Sequence, residues 1–188
     1  IDSFTTTLDI ADEVQKELRR PLELISLGGG FGVPYFEDDE ALDLAAFKSF
    51  QPHKRFPKAR LLVEAGRFLV GPAGVYITKA LSKKVSRGVT YLMVDGGMHQ
   101  HVIAAGYFRR NAEPNFDVRI LNKLDRPKKE KITIAGCLST SRDVLATDLE
   151  VPETERGDLV TILNSGAYGL TISPLEFASH DRPKEVVV

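Results

Sequence analysis

Two short apolar runs, each followed at once by a polar, glycine-rich motif, constrain the fold of this chain most. Residues 22–27 lead into Gly-Gly-Gly-Phe-Gly at 28–32, and residues 60–64 lead into Ala-Gly-Arg at 65–67. A stretch with helical periodicity precedes each run, so helix and strand alternate. This order predicts an α/β fold with parallel strands. Such folds place ligand sites at the carboxyl ends of their strands, which is where both motifs fall.

The first helical stretch ends at Pro21, which cannot continue a helix. Its apolar positions recur at helical spacing: Leu8, Ala11, Val14 and Leu18. Asp39 is predicted to cap a second helix over residues 41–46.

From about residue 75 the pattern changes to β. Short apolar segments alternate with glycine, proline and charged turns, which is typical of a sandwich or barrel. The predicted strands cover residues 75–81, 89–94, 116–121, 131–135, 158–163 and 185–188. We therefore expect an α/β part over residues 1–74 and a β part over residues 75–188.

Composition limits the function classes. The formal net charge of −1 argues against a large electrostatic footprint for nucleic acid. No apolar run is long enough to span a bilayer, and the first residues do not resemble a signal peptide. Cys137 is the only cysteine, so no intrachain disulfide forms. We expect a cytoplasmic protein without nucleic-acid or membrane partners, and a numbering that starts inside a longer protein because residue 1 is not Met.

The glycine run is the first candidate site. Gly28, Gly29 and Gly30 let the backbone approach an anion and turn its N–H groups toward it, which suits a phosphate. A plain glycine turn is the alternative. A dinucleotide-binding motif is a poor match, because Pro34 interrupts the helix that such a motif requires.

Glu64 and Arg67 flank a glycine at the end of the next strand. Arg67 can hold a phosphate through its forked guanidinium. The Glu64 carboxylate can keep a ring nitrogen protonated, and the protonated ring then acts as an electron sink. A local salt bridge between the two side chains is the alternative.

Three later motifs contain side chains that can do chemistry. His99 and His101 are spaced so that a strand would place both on one face. This pair lacks further ligands, so we expect an ordinary loop or a substrate-pocket role and no metal. Cys137 alone is more often a small buried residue than a nucleophile. Tyr168 lies in Gly-Ala-Tyr-Gly and can offer its hydroxyl to a phosphate or simply pack as an aromatic.

The order and spacing of these motifs resemble the PLP-dependent decarboxylases of the alanine-racemase-like fold, the family of the ornithine, arginine and diaminopimelate decarboxylases. The resemblance continues through Ser173-Pro174 and residues 182–188. It implies the C-terminal part of a PLP-binding (β/α)₈ barrel over residues 1–74, followed by a β-sandwich or barrel domain. It also implies the cofactor pyridoxal 5'-phosphate (PLP) and a homodimer with shared active sites.

The resemblance assigns roles to individual residues. Glu64 would meet the pyridine nitrogen of the cofactor, and Ala65 replaces the usual proline beside it. The residues implied in binding the phosphate are Gly28, Gly29, Gly30, Gly66, Arg67 and Tyr168. The family's PLP-binding lysine lies upstream of the glycine run. No residue here matches it, so we expect this chain alone to be inactive.

The catalytic cysteine of the family precedes an aspartate by four residues. Alignment on Asp143 places Ser139 at that position and Cys137 two residues early. A serine hydroxyl is a far weaker acid than a thiol, whose pKa is about 8.5. Either Ser139 replaces the cysteine as proton donor, which we favour, or Cys137 reaches the substrate through a shifted loop.

The substrate positions also depart from the family. Thr140 stands where ornithine and diaminopimelate enzymes have an acid, and Ile103 where the latter have arginine, although Tyr107 matches. The stretch with His99 and His101 resembles a specialised-metabolism branch with carrier-linked or siderophore-type substrates. We predict that the full-length parent decarboxylates an amino acid or such a derivative. Racemase-type or deaminase-type chemistry and a non-catalytic regulatory relative are the alternatives.

Overall fold

The computed structural model describes residues 1–36, 39–106 and 114–188. The chain forms two compact units. The first comprises Ile1–Val33 and Glu40–Leu69, and the second comprises Pro34–Asp39 and Val70–Val188. The main boundary therefore falls five residues before the expected position at residue 74, and a short earlier segment belongs to the second unit. None of the described helices is both long and apolar enough to cross a membrane.

The first unit alternates helices with two strands. Its elements in chain order are helix α1 (Asp2–Leu18), strand β1 (Leu24–Gly29), a 3₁₀ turn (Leu44–Ser49), helix α2 (Pro52–Arg55), strand β2 (Arg60–Glu64) and helix α3 (Gly66–Val70), whose last residue belongs to the second unit. Strands β1 and β2 pair in parallel. The α/β pattern expected from the sequence is thereby confirmed.

Helix α1 buries one stripe of side chains. Phe4, Leu8 and Ala11 are spaced by four and three residues, so they lie on one face and pack with Ile25 and Leu27 of β1. The stripe begins one turn earlier than predicted. The buried stripe also ends earlier than predicted: Val14 and Leu18, the last two predicted positions, are exposed.

The predicted second helix is wrong. Instead of capping a helix, the Asp39 carboxylate accepts hydrogen bonds from the amides of Tyr35 and Phe36 at 2.8 and 3.0 Å. The 3₁₀ turn that does form begins later, and Asp43 caps it by accepting the Ala45 amide at 2.8 Å. Aspartate favours such local bonds to backbone amides, and this explains why the cap was assigned to the wrong aspartate.

The second unit is a six-stranded mixed sheet. Its strands are β3 (Tyr76–Ser86), β4 (Val89–Val94), β5 (Val118–Ile120), β6 (Glu130–Ala135), β7 (Val144–Val151) and β8 (Leu159–Ile162). Their order across the sheet is β5-β8-β3-β4-β6-β7. Among the described strand pairs of this sheet, β4–β6 alone is parallel, and this pair positions the loops discussed below.

The sheet is nearly closed into a barrel. Its edge strands β5 and β7 contact each other, and Asn115 joins them further. The Asn115 side chain donates to the Thr147 carbonyl at 2.6 Å and accepts the Thr147 amide at 2.9 Å. The interior is apolar, with Leu92, Val94 and Ile134 fully buried. The barrel-type β domain expected from the sequence is confirmed.

Two strand assignments differ from the prediction. Strand β7 was missed, because its alternating pattern is interrupted at Asp148, which adopts a positive φ of 52°. The predicted terminal strand at residues 185–188 is wrong: these residues have no regular structure and Val188 is fully exposed. The hairpin between β3 and β4 turns at Arg87-Gly88, where both residues have positive φ, as in a two-residue hairpin turn.

Candidate functional site

The two motifs of the first unit meet at the carboxyl ends of β1 and β2. Gly29 is the direct cross-strand partner of Glu64. A Cβ atom at Gly29 would lie 2.3 Å from the Glu64 carbonyl oxygen, so only glycine permits this approach. Gly28 and Gly30 adopt positive φ values of 76° and 82°, which also favour glycine. The glycine run is therefore shaped by close packing against the second motif.

Ser26 connects the two motifs, and sequence reasoning missed it. Its hydroxyl donates to Glu64 Oε1 at 2.7 Å and accepts the Gly28 amide at 3.1 Å. The Glu64 carboxylate is thereby fixed in orientation beside the first glycine. A serine within an apolar strand gives no signal by itself, because its role depends on a residue 38 positions later.

Gly66 and Arg67 begin helix α3 immediately after β2. Glu64 and Arg67 are both exposed on the first unit, at the same strand edge as the glycine run. A carboxylate, a guanidinium and an open glycine turn therefore lie on adjoining segments. This set can bind a molecule that combines a phosphate with a protonated ring nitrogen.

A second group of polar residues lies in the second unit, where parallel strands β4 and β6 end side by side. Asp143 joins the loops that follow them. Its Oδ1 accepts the Met98 amide at 2.6 Å, and its Oδ2 accepts the Leu138 amide at 2.7 Å. A Cβ atom at Gly97 or Gly136 would lie 2.5 or 2.2 Å from this carboxylate. The glycines of both loops thus make room for Asp143.

The loop after β4 is held from its other side by Tyr76. The Tyr76 hydroxyl donates to Gln100 Oε1 at 2.7 Å and accepts the Gly97 amide at 3.2 Å. Burial raises the pKa of this hydroxyl far above its ordinary value, so it stays protonated and keeps donating. The Gly96 amide donates a hydrogen bond to Thr78 Oγ1 at 2.8 Å. The loop is therefore rigidly placed.

His99 and His101 do not lie on a strand, so the shared strand face that their spacing would give does not arise. Both lie in the turn after β4, and they have different neighbours. His99 groups with Cys137 and His180, and the ligand atoms of these three side chains lie within 4.8 Å of one another. The expectation of no metal rested on the two histidines as an isolated pair. In the structure, His99 has Cys137 and His180 as neighbouring potential ligands in place of His101.

His101 has a structural environment. Its Nδ1 accepts the Ala104 amide at 3.2 Å, so the proton is on Nε2, which lies 3.0 Å from Ser165 Oγ. The ring is buried and makes edge contacts with Tyr76 and Phe116. These contacts join the β4 loop to the barrel.

The thiol of Cys137 and the imidazole of His99 both have shifted pKa values. Burial raises the pKa of the Cys137 thiol, and the negative charges of Asp143 and Asp95 raise it further. Burial lowers the pKa of His99, and the neighbouring His180 adds to this effect. Without an added cation, both groups are therefore neutral near pH 7.

Four further predicted site residues are Ser139, Thr140, Tyr168 and Tyr107. Ser139 is exposed and Thr140 half-buried in the loop before Asp143. Tyr168 is 45% exposed and adopts a positive φ of 65°, which is rare for an aromatic residue and costs backbone strain. Tyr107, predicted to contact substrate, lies outside the described residues.

Comparison with known proteins agrees with this arrangement. Residues 8–166 match the family model described as "Pyridoxal-dependent decarboxylase, C-terminal sheet domain". An L-glutamyl-[BtrI acyl-carrier protein] decarboxylase from Niallia circulans is 40% identical over 100% of this chain and 46% of its own length. A 2-[(L-alanin-3-ylcarbamoyl)methyl]-2-hydroxybutanedioate decarboxylase from Staphylococcus aureus is 31% identical over 88% of this chain and 43% of its own length.

The fold is also similar to that of a solved relative. Diaminopimelate decarboxylase from M. jannaschii, in complex with L-lysine, superposes with a TM-score of 0.80 at 29% identity, over 96% of this chain and 41% of that one. The chain thus spans about half the length of the relatives it matches. The chain belongs to the family of pyridoxal-dependent decarboxylases and contains their C-terminal sheet domain.

Proposed function

We propose that the complete protein containing this chain catalyses PLP-dependent decarboxylation of an amino acid or amino-acid derivative. The observation that supports this most is the meeting of Glu64 with the glycine run at adjoining strand ends, in a chain that belongs to a pyridoxal-dependent family. Because the chain spans about half of its relatives, this activity is proposed for the whole protein.

The residues of the first unit fit PLP. The glycine run offers backbone amides that a phosphate can approach, and Arg67 adds a guanidinium with two parallel donors. Glu64, fixed by Ser26, would hold the proton on the pyridine nitrogen. When bound, PLP supplies an electron sink for the electron pair that remains after the Cα–carboxylate bond breaks. That Gly66 and Tyr168 also bind the phosphate stays a prediction.

We assign proton return to Ser139. It occupies the position of the family's catalytic cysteine when the chain is aligned on Asp143, and its side chain is exposed. Cys137 is half-buried beside His180, with Sγ 3.9 Å from His180 Nδ1, so it is less available to a substrate. Substitution of Ser139 by alanine should slow product formation, whereas substitution by cysteine should retain or increase it.

For the substrate we propose a carrier-linked or siderophore-type amino acid. Two relatives with such substrates, from N. circulans and S. aureus, match this chain at 40% and 31% identity. Thr140 in place of an acid removes the partner for a distal amine, and Ile103 in place of arginine removes the partner for a distal carboxylate. A carboxylate buried without a cation would be costly. Contact of the substrate with Tyr107, His99 or His101 stays a prediction.

The experiment is an assay of carbon dioxide release by the complete protein loaded with PLP. Glutamyl thioester on an acyl-carrier protein is compared with free diaminopimelate at equal concentration. We expect faster release from the carrier-linked substrate. Efficient turnover of free diaminopimelate would refute the substrate assignment. Absence of carbon dioxide from any amino acid or derivative, with PLP bound, would refute decarboxylation itself.

A second candidate is racemisation or deamination on the same scaffold, which the replacement of the cysteine acid by Ser139 favours. Product analysis in heavy water separates the reactions. Decarboxylation gives an amine with one deuterium at Cα. Racemisation gives both enantiomers of the amino acid with deuterium at Cα, and deamination gives a keto acid. The homodimer with shared active sites and the cytoplasmic location are further proposals. Sedimentation of the complete protein tests the former.

A further inference from the structure

The cluster of His99, Cys137 and His180 is assembled from three separate segments of the second unit. His99 lies in the turn after β4, Cys137 in the loop after β6, and His180 after a 3₁₀ turn near the carboxyl end. Cys137 Sγ lies 3.9 Å from His180 Nδ1, and the rings of His99 and His180 are 5.0 Å apart between centroids. Three groups that bind transition metals therefore converge from positions distant in sequence.

The imidazole of His99 lacks a partner that its burial requires. The side chain is 1% exposed, and its Nδ1 is buried with no hydrogen-bond partner in the part of the chain that the structure describes. A buried polar nitrogen left unsatisfied costs about 1–3 kcal/mol. Histidine nitrogens in native proteins are therefore normally bonded to a donor, an acceptor or a metal. A metal ion bound by the three side chains of the cluster would give the His99 imidazole such a partner.

Two of the three side chains are positioned by one carboxylate. Asp143 binds the amides of Met98 and Leu138, the residues next to His99 and Cys137. The Cys137 amide also donates to the Gly96 carbonyl at 3.0 Å. Because both loops are fixed to the same group, His99 and Cys137 keep their separation whether or not His180 is engaged. Metal sites need this kind of support around their ligands.

The chemistry of the three side chains selects the ion. One thiolate and two imidazoles suit Zn²⁺, which binds sulfur at about 2.3 Å and nitrogen at about 2.0–2.1 Å. Tetrahedral coordination at these bond lengths separates the ligand atoms by about 3.3–3.6 Å. The ligand atoms of the cluster lie within 4.8 Å of one another, so zinc binding would shorten the longest separation by at most about 1.2–1.5 Å. Cys137 and His180 are half-buried, so an ion can enter from solvent.

We propose that His99, Cys137 and His180 bind a Zn²⁺ ion, with a fourth coordination position open to water or to a donor atom of a ligand. All three ligands of this site belong to the second unit. The site has one consequence for the reaction proposed above. A zinc-bound Cys137 is a thiolate engaged with the metal, so proton return would fall to Ser139 alone.

The experiment measures zinc binding by the complete, untagged, PLP-loaded protein after treatment with a chelator. Zn²⁺ is titrated against a chromogenic chelator, and the X-ray absorption spectrum at the zinc edge reports the ligand atoms. We expect one Zn²⁺ per chain, with one sulfur and two imidazole nitrogens in its first shell. Cys137→Ser and His180→Gln should each weaken binding by at least about 100-fold, because removal of even a supporting residue weakens metal sites about 10–100-fold.

The matched control is His53→Gln, since His53 is exposed on α2 of the first unit. It should leave zinc affinity unchanged. A second readout needs no variant: Zn²⁺ should slow alkylation of Cys137 by iodoacetamide, followed on its peptide by mass spectrometry. Absence of saturable one-to-one binding, a zinc shell without sulfur, or full affinity in Cys137→Ser and His180→Gln would overturn the proposal. None of these readouts depends on decarboxylase activity.

Discussion

The carboxylate of Asp143 accepts a hydrogen bond from the backbone amide of Met98, 45 residues earlier in the chain, at 2.6 Å. Its second oxygen accepts the Leu138 amide from its own loop at 2.7 Å. Both bonds are buried. The carboxylate lies so close to Gly97 and Gly136 that a Cβ atom at either position would collide with it. One aspartate thus organises both loops at the ends of β4 and β6.

Substitution of Asp143 by asparagine should destabilise the second unit by about 1–3 kcal/mol, the cost of an unsatisfied buried group. Asparagine keeps one acceptor oxygen, so its NH₂ group would face the amide of either Met98 or Leu138. Thermal unfolding measures the loss, and hydrogen exchange should accelerate at one or both of these amides. Asp125→Asn, at an exposed position, is the control. Equal stability of both variants would contradict the role of Asp143.

Substitution of Gly29 by alanine should disturb the junction of β1 and β2. The new Cβ would lie 2.3 Å from the Glu64 carbonyl oxygen, so the strand ends must separate, at about 1–3 kcal/mol. In the complete protein we expect weaker PLP binding, measured by absorbance titration. Gly32→Ala is the matched control, because its Cβ would meet no atom within 4 Å. Unchanged PLP affinity in Gly29→Ala would contradict the importance of this close approach.

Substitution of Asp158 by asparagine should destabilise the second unit by about 3 kcal/mol, because it leaves the buried Lys123 ammonium without its main partner. Lys123 Nζ lies 2.7 Å from Asp158 Oδ2, with side-chain exposures of 5% and 3%. Denaturant unfolding measures the change. The control is Asp148→Asn, which removes an exposed ion pair with Lys131 at 3.5 Å and should change stability by less than about 1 kcal/mol. Equal effects would show that burial adds nothing to the Asp158 pair.

Stability should fall in acid through Asp158 and Glu130. Burial opposes their charge, but hydrogen bonds from Lys123 and Asn122 to Asp158, and from Lys83 and Thr154 to Glu130, outweigh it and lower both pKa values. Carboxyls with lowered folded-state pKa contribute fully above their unfolded values of about 4, and this contribution is lost as pH falls through the folded values.

Lys123 has the opposite pH dependence: its contribution to stability is lost at high pH. Burial opposes its charge, yet hydrogen bonds to Asp158 and Glu155 outweigh this and raise its pKa. Its contribution is full below the unfolded value of about 10.4 and is lost as pH rises through the folded value. The unfolding temperature measured from pH 2 to 12 should therefore decline at both ends. In Asp158→Asn the decline below pH 4 should be shallower, and an unchanged acid limb would contradict the assignment.

The sequence predicted those features that depend on local pattern. The strand-to-glycine junctions and strands β4 and β6 were predicted because period, turn residues and length agree over a few positions. It did not predict contacts made across long separations. His180 lies 43 residues from Cys137 in a segment without regular structure, so no spacing connects them. Nor did it predict the hydrogen bonds from the amides of Gly97 and Met98 to Tyr76 and Asp143, which hold the turn that contains His99.

Ser26→Ala should weaken PLP binding by the complete protein roughly five-fold, corresponding to about 1 kcal/mol for one hydrogen bond. The Ser26 hydroxyl donates to Glu64 Oε1 at 2.7 Å and accepts the Gly28 amide at 3.1 Å, so its removal frees the carboxylate that we assign to the pyridine nitrogen. Ser26→Thr keeps a hydroxyl and should restore affinity, while Ser3→Ala, exposed on α1, should have no effect. Absorbance titration with PLP measures all three variants. A threonine variant as weak as alanine would show that the hydroxyl of Ser26 does not position Glu64.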